Sequence, residues 1–228
     1  MLNNRLNVFN YIDSIKAKLF AVKAYSQEGE DMILLRYFAE KKGFYVDVGA
    51  YHPVRFSNTY QFYKKKWNGI NIDSTPNIMK KFNAVRPRDI NIECAVSTDA
   101  KPMNFFLFNE PALNTCIEQV AHERVSKKYF IIKEITVVPR RLDDILDKHL
   151  PKDQQIDFLS VDVEGNDLKV LQSNNWKKYR PKFVLVETME MSRGVDLFND
   201  SIYKYLTNLG YEFYAKTVFT LFFIDKTS

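Results

Sequence analysis

A layered α/β protein built on one mainly parallel sheet is the fold class this sequence predicts, and three observations predict it. Five short runs rich in β-branched and aromatic residues, at 44–48, 70–73, 90–96, 157–163 and 182–187, are mostly separated by helix-length segments. Gly43, Gly69 and Gly210 each stand just before a strand-like run, as a glycine does where a helix stops and a strand begins. Finally, "YEFYAKTVFTLFFID" holds two strand-like runs parted by about two residues, and strands that close together can only pair antiparallel. The expected sheet is therefore mostly parallel and ends in one antiparallel hairpin.

Taken in order, Leu6, Phe9, Ile12, Leu19 and Val22, with Lys16, Lys18 and Lys23 among them, predict an amphipathic helix over residues 5–24. Residues 1–24 thus read as a helical extension, able to cover its own domain, a second subunit of an oligomer or a membrane surface. Residues 25–228 read as a single domain. Asp31 is placed to cap a helix running from Met32 to Lys41, and "FYVDV" follows Gly43 as the first strand. Two runs, "MNFFLF" and "IIKEITVVP", interrupt the alternation and predict inserted strands around residues 103–138.

With 46% hydrophobic residues, 18 Phe and 13 Tyr, the composition supports a sizeable core and excludes a disordered chain. The net charge of +5 is spread along the sequence, with no basic run, so no nucleic-acid partner is expected; the charge equally suits an anionic small molecule. Cys94 and Cys116 have neither disulfide-scaffold nor metal-finger spacing. No stretch approaches the ~20 apolar residues of a membrane span. Asn3, Asn4, Arg5 and Asn7 interrupt any signal-peptide core, and the cytoplasm is the expected location.

In open α/β sheets, ligands bind beyond the carboxyl ends of the strands. Three of those ends carry acids: Asp47 in "VDVGA", Asp73 in "NIDSTP" and Asp162 in "SVDVEG". A dinucleotide needs G-x-G-x-x-G so that the backbone can approach a pyrophosphate. Here Gly49 is followed by Ala50, Tyr51, His52 and Pro53, and no GxxxxGK[ST] exists, which excludes P-loop chemistry. S-adenosylmethionine has no phosphate and needs only acceptors for its ammonium and ribose hydroxyls. One glycine at 49, letting the chain turn at Ala50, is enough. Asp73 lies 26 positions after Asp47, near the roughly twenty-residue offset of a ribose-binding acid. The alternative for both acids is helix capping.

The segments "YSQEGEDMILLRYF", "GFYVDVGAYHPVRFSNT", "WNGINIDSTP", "RDINIECAVS", "IDFLSVDVEGNDLKVL" and "YRPKFVLVE" together resemble FkbM-type S-adenosylmethionine-dependent methyltransferases, in order, from about residue 25 to 190. The resemblance implies a class I methyltransferase (Rossmann-like) fold, with a seven-stranded sheet whose last strand is antiparallel. It implies methyl transfer to a hydroxyl oxygen of a sugar, glycan or related small molecule. It also implies that Ala95, Val96 and Ser97 lie against the adenine. One departure stands out: Asp73 is followed by Ser74 and Thr75 before Pro76, where the family usually has an acid-proline pair. Ribose binding is expected to survive through Asp73, with Ser74 beside it.

Oxygen methylation requires alignment with the S–CH₃ axis and removal of a proton. His52, just after the first strand, is one candidate base, and a loop-positioning histidine is the other reading. Asp162, Glu164 and Glu187 follow the fourth and fifth strands, where they could hold a divalent metal or orient sugar hydroxyls. Gln27, Glu28 and Asp31 are expected to cover the methionine end. Asn58 and Thr59 begin the helix after the first loop and offer amides to the cofactor carboxylate. Residues 101–138 are the expected seat of acceptor specificity, with Asn114 and Thr115 as contacts. An anionic or nucleotide-linked sugar would suit the net charge. Two other readings are an NAD-dependent sugar-nucleotide oxidoreductase or epimerase, which the missing glycines oppose, and a non-catalytic binding module on this fold.

Overall fold

The computed structural model describes residues 21–38, 41–190 and 194–227. The helix predicted over residues 5–24 lies outside the described residues except for 21–24, which have no regular structure. The chain runs α1 (Glu30–Phe38), β1 (Phe44–Val48), α2 (Tyr60–Lys64), β2 (Asn68–Asp73), α3 (Ile78–Val85) and β3 (Ile90–Glu93). An inserted pair follows, β4 (Met103–Phe108) and β5 (Ile131–Val137), which enclose α4 (Glu118–Arg124). The chain continues with α5 (Leu142–His149), β6 (Phe158–Val161), α6 (Asp167–Gln172), β7 (Phe183–Glu187), α7 (Ser201–Asn208), β8 (Glu212–Lys216) and β9 (Thr220–Ile224).

Seven strands form one sheet in the order β3-β2-β1-β6-β7-β9-β8. Every pairing from β3 across to β7 is parallel. Strand β9 is antiparallel to both of its neighbours, so the hairpin inserts its second strand between β7 and β8. This is the mostly parallel sheet with an antiparallel ending that the sequence predicts. β4 and β5 form a separate antiparallel ribbon, and just beyond β5 Arg140 makes an isolated parallel bridge to Val96.

Two elements differ from expectation. The third strand stops at Glu93 rather than Val96, because Cys94 still donates its amide to Asp73 while Val96 turns to the insert and bridges Arg140. The first helix begins at Glu30, and Asp31 lies inside its first turn instead of capping it. Its carboxylate reaches back to the Tyr25 amide and the Ser26 hydroxyl, both at 2.7 Å.

Side chains alternate between the two faces, and both faces are buried, as in parallel sheets generally. Val46, Val48, Leu159, Val161, Val184, Val186, Leu221 and Phe223 face α5, α6 and α7 in one core. Tyr45, Phe158, Phe183, Leu185 and Phe222 face α1 and α2 in the other, where Phe38, Phe62 and Trp67 pack edge-on. No helix among the described residues is long and apolar enough to cross a membrane.

Asp225, just beyond β9, is held to the approach of β7. Burial alone would raise its carboxyl, but hydrogen bonds from Arg180 at 2.8 and 3.2 Å and from Thr227 outweigh burial and hold it at about 2. A folded-state pKa below the ordinary 3.8 stabilises the fold above that pH and ceases to do so as the pH falls through about 2. Urea unfolding across this range should show a loss of at most about 2.5 kcal/mol. The loss should be absent in Asp225→Asn.

Candidate functional site

The functional cleft is anchored by a polar stripe in the middle of the aromatic face. Asn71, Asp47 and Ser160 are register partners on β2, β1 and β6. Asp47 accepts the Thr59 hydroxyl at 2.7 Å, and Asn58 donates to Ser160 at 3.1 Å. Beneath them lies Arg86, fully buried at the end of α3. Its guanidinium donates to Asp89 (2.8 Å), the Tyr45 hydroxyl (2.8 Å), Thr59 (3.0 Å) and, at 3.4 Å, Ser57. Asp89 also accepts from the Gly69 amide and from Asn71, both at 3.0 Å. Desolvation pushes the Asp47 carboxyl up, while Thr59 and the Arg86 charge oppose the rise.

Above the stripe opens a cleft of about 1140 Å³, counted to its solvent mouth. It lies over the carboxyl ends of β1, β2, β3, β6 and β7. The structure brings Gln27, Asp47, Gly49, Ala50, Asn58, Asp73, Ser74, Ala95, Val96, Asp162, Glu164 and Glu187 together in its lining, with Glu28 beside Gln27. Thr59 and Ser97 are buried behind the wall. His52 is also outside the lining, and its Nδ1 accepts the amides of Val54 (3.1 Å) and Arg55 (3.0 Å). Burial, with Lys81 and Arg55 nearby, lowers its pKa.

Gly49 explains why one glycine is enough. Its φ of +84° is in the left-handed region, and a Cβ there would lie 1.7 Å from the carbonyl oxygen of Asp162. The glycine therefore lets the ends of β1 and β6 touch. Tyr51, at φ 53°, then directs its amide to Asp73 Oδ2 at 2.8 Å, while Asp73 Oδ1 accepts Thr75 at 2.7 Å. Burial raises the Asp73 carboxyl, and these two amides oppose the rise.

The acidic corner lies across the cleft. One oxygen each from Asp162, Glu164 and Glu187 lies within 4.8 Å of the other two. Solvent reaches Asp162 through the cleft mouth, but protein encloses it on its other sides. Burial first, and the neighbouring carboxylates second, raise Asp162 and Glu187 well above the ordinary carboxylate range. Glu164, at φ 58°, is ion-paired to Arg124 of the insert. Asp167 holds the loop in shape by accepting the amides of Val163 and Gly165, each at 2.9 Å.

The insert supplies a wall through Phe105, Pro111, Ala112, Asn114 and Cys116. It is stitched to the sheet loops by Asn114 to Thr75 (3.1 Å), Thr115 to the Glu164 carbonyl (2.8 Å) and Tyr51 to Glu110 (3.0 Å). The N-terminal wall is tied to the C-terminal hairpin. Glu28 accepts the Phe219 amide and Glu30 accepts the Thr220 hydroxyl, both at 3.1 Å. Sequence reasoning missed Arg86, Asp89, Asn166, Arg124, Phe219 and Thr220. Asn166 sits within the "DVEGND" motif already singled out, whereas the others act through contacts distant in sequence.

Residues 47–213 match the family model described as the Methyltransferase FkbM domain. Comparison with curated proteins gives no match. Among solved structures, the chain is similar to methyltransferase FkbM from Methylobacillus flagellatus KT, at 14% identity and a TM-score of 0.49. The match covers 81% of this chain and 44% of that one, so this chain spans less than half of that protein's length.

Two substitutions test the architecture. Arg86→Met leaves Asp89 buried without its cation and should cost roughly 3–5 kcal/mol, seen as a lower urea midpoint at unchanged slope. Gly49→Ala forces β1 and β6 apart and should destabilise by at least about 1–3 kcal/mol, read by thermal denaturation.

Proposed function

Because the chain belongs to the FkbM methyltransferase family, we propose that it is an S-adenosylmethionine-dependent O-methyltransferase acting on a hydroxyl of a sugar, glycan or related small molecule. The observation that carries this reading is the pairing of Asp73 with a carboxylate corner across one cleft.

The residues present fit the cofactor. A carboxylate has about four acceptor positions, and the loop amides of Tyr51 and Thr75 take two of those on Asp73. The remaining positions suit two ribose hydroxyls. Ile72, Ala95 and Val96 give the neighbouring wall an apolar surface for adenine. Gln27 and Asn58 would meet the methionine portion. When bound, S-adenosylmethionine supplies a methyl carbon activated by its sulfonium.

What remains for the protein is to orient the acceptor and remove its proton. The acidic corner of Asp162, Glu164 and Glu187 is the group placed to orient the acceptor hydroxyl and to assist its deprotonation. His52 has committed Nδ1 to the loop amides, so its contribution in this reading is to shape the segment after β1. Arg124 and the mild positive charge of the chain favour an anionic acceptor, seated between the corner and the insert.

Calorimetric titration with S-adenosylmethionine, S-adenosylhomocysteine and NAD tests the reading. Micromolar binding of the first two is expected, with at least a roughly tenfold loss in Asp73→Ala. Binding of NAD alone, or no binding, would sink it.

A further inference from the structure

Two oxygen atoms in the cleft lining stand apart from its hydrogen-bond network. Glu187 Oε2 and Asn166 Oδ1 are each cut off from solvent and accept no hydrogen bond. Asn166 itself is only 4% exposed and is fixed by its amide nitrogen, which donates to the Val96 carbonyl at 3.2 Å. Both residues line the cleft with Asp162 and Glu164. Two unpartnered acceptors in one cleft call for an electron-poor group, because a further carbonyl or carboxylate would leave them as they are.

Charge narrows the choice. Among the described residues, the one guanidinium at the corner, that of Arg124, is engaged with Glu164, and Asp162 and Glu187 have no ion pair. A sugar hydroxyl could satisfy one orphan oxygen, whereas a cation can be shared by all three carboxylates at once. The donors are all oxygens, which suits a hard cation rather than zinc or copper. Oxygens on opposite sides of a cation stand two bond lengths apart, about 4.1 Å for magnesium and about 4.6–5.2 Å for calcium. One oxygen from each of the three carboxylates lies within 4.8 Å of the other two, close to the diametric span for calcium, so the three must draw inward to share one ion, and further for magnesium.

We infer that Asp162, Glu164 and Glu187, with the Asn166 carboxamide oxygen from the same cleft, form a binding site for one hard divalent cation. Its chemical role rests on the proposed methyl transfer: the ion would draw the acceptor hydroxyl to the corner and favour its deprotonated form. Its binding does not depend on that role.

The test is titration of the purified full chain with Mn²⁺ at neutral pH, followed by calorimetry and by loss of the free-ion magnetic resonance signal. Mg²⁺ and Ca²⁺ serve as competitors. One saturable Mn²⁺ per chain is expected, displaced by a competitor and weakened roughly tenfold or more in Glu187→Gln and in Asn166→Ala. Near-ultraviolet dichroism confirms that each variant is folded, and Glu187→Gln, which keeps the shape, serves alone if Asn166→Ala does not fold. The absence of saturable binding, or binding that folded Glu187→Gln leaves unchanged, overturns the site. S-adenosylhomocysteine is titrated into the same samples: binding of it without Mn²⁺ defeats the metal site alone, while Mn²⁺ without it defeats the methyltransferase reading alone.

Discussion

The buried guanidinium of Arg86 is the constraint on which the cleft depends. A full positive charge out of water is tolerable only when its donors and its counter-charge are satisfied together. Here that requirement recruits β1 through Tyr45, β2 through Asn71 and Gly69 by way of Asp89, and the loop before α2 through Ser57 and Thr59. Thr59 is pivotal, because its hydroxyl accepts from Arg86 and donates to Asp47. The carboxylate at the floor of the cleft is therefore positioned by a cation that never reaches the cleft. An apolar core could hold the strands together, but it would not fix the direction in which Asp47 points.

From that floor the two sides of the site diverge in electrostatic character. Asp73 is a single carboxylate supported by two backbone amides, which oppose the effect of burial on its charge. The opposite corner concentrates acids and supplies one ion pair for them. A preorganised site commonly stores such unfavourable energy where a ligand will relieve it. The positive φ angles of Tyr51 and Glu164, one on each side, show backbone strain at the same two places.

Much of this architecture was legible in the sequence, because parallel strands buried on both faces leave apolar runs bounded by turns. "FYVDV" and "FVLVE" need no tertiary information to be recognised, and the acids at their ends follow from the rule that ligands gather there. Gly49 was legible for the same reason, although its collision with the Asp162 carbonyl belongs only to the folded chain. What could not be read depends on contacts between distant segments. Arg86 follows a helix and precedes a proline, and nothing local marks it as buried. Phe219 and Thr220 enter the cleft because β9 lies between β7 and β8, a topological fact. His52 was ambiguous at the sequence level, since a base and a loop anchor require the same residue type.

The position of β9 also bears on how the molecule is made. While residues 220–224 are still within the ribosome, β7 presents an unpaired edge of Phe183, Val184, Leu185 and Val186, an invitation to pair with a neighbouring chain. The wall formed by Gln27 and Glu28 is held back for the same interval, because Glu28 docks on Phe219 and Glu30 on Thr220. The earliest segment of the cleft thus waits for one of the latest to be synthesised. A nascent chain stalled before that hairpin would carry most of the sheet but neither a sealed edge nor a closed cleft.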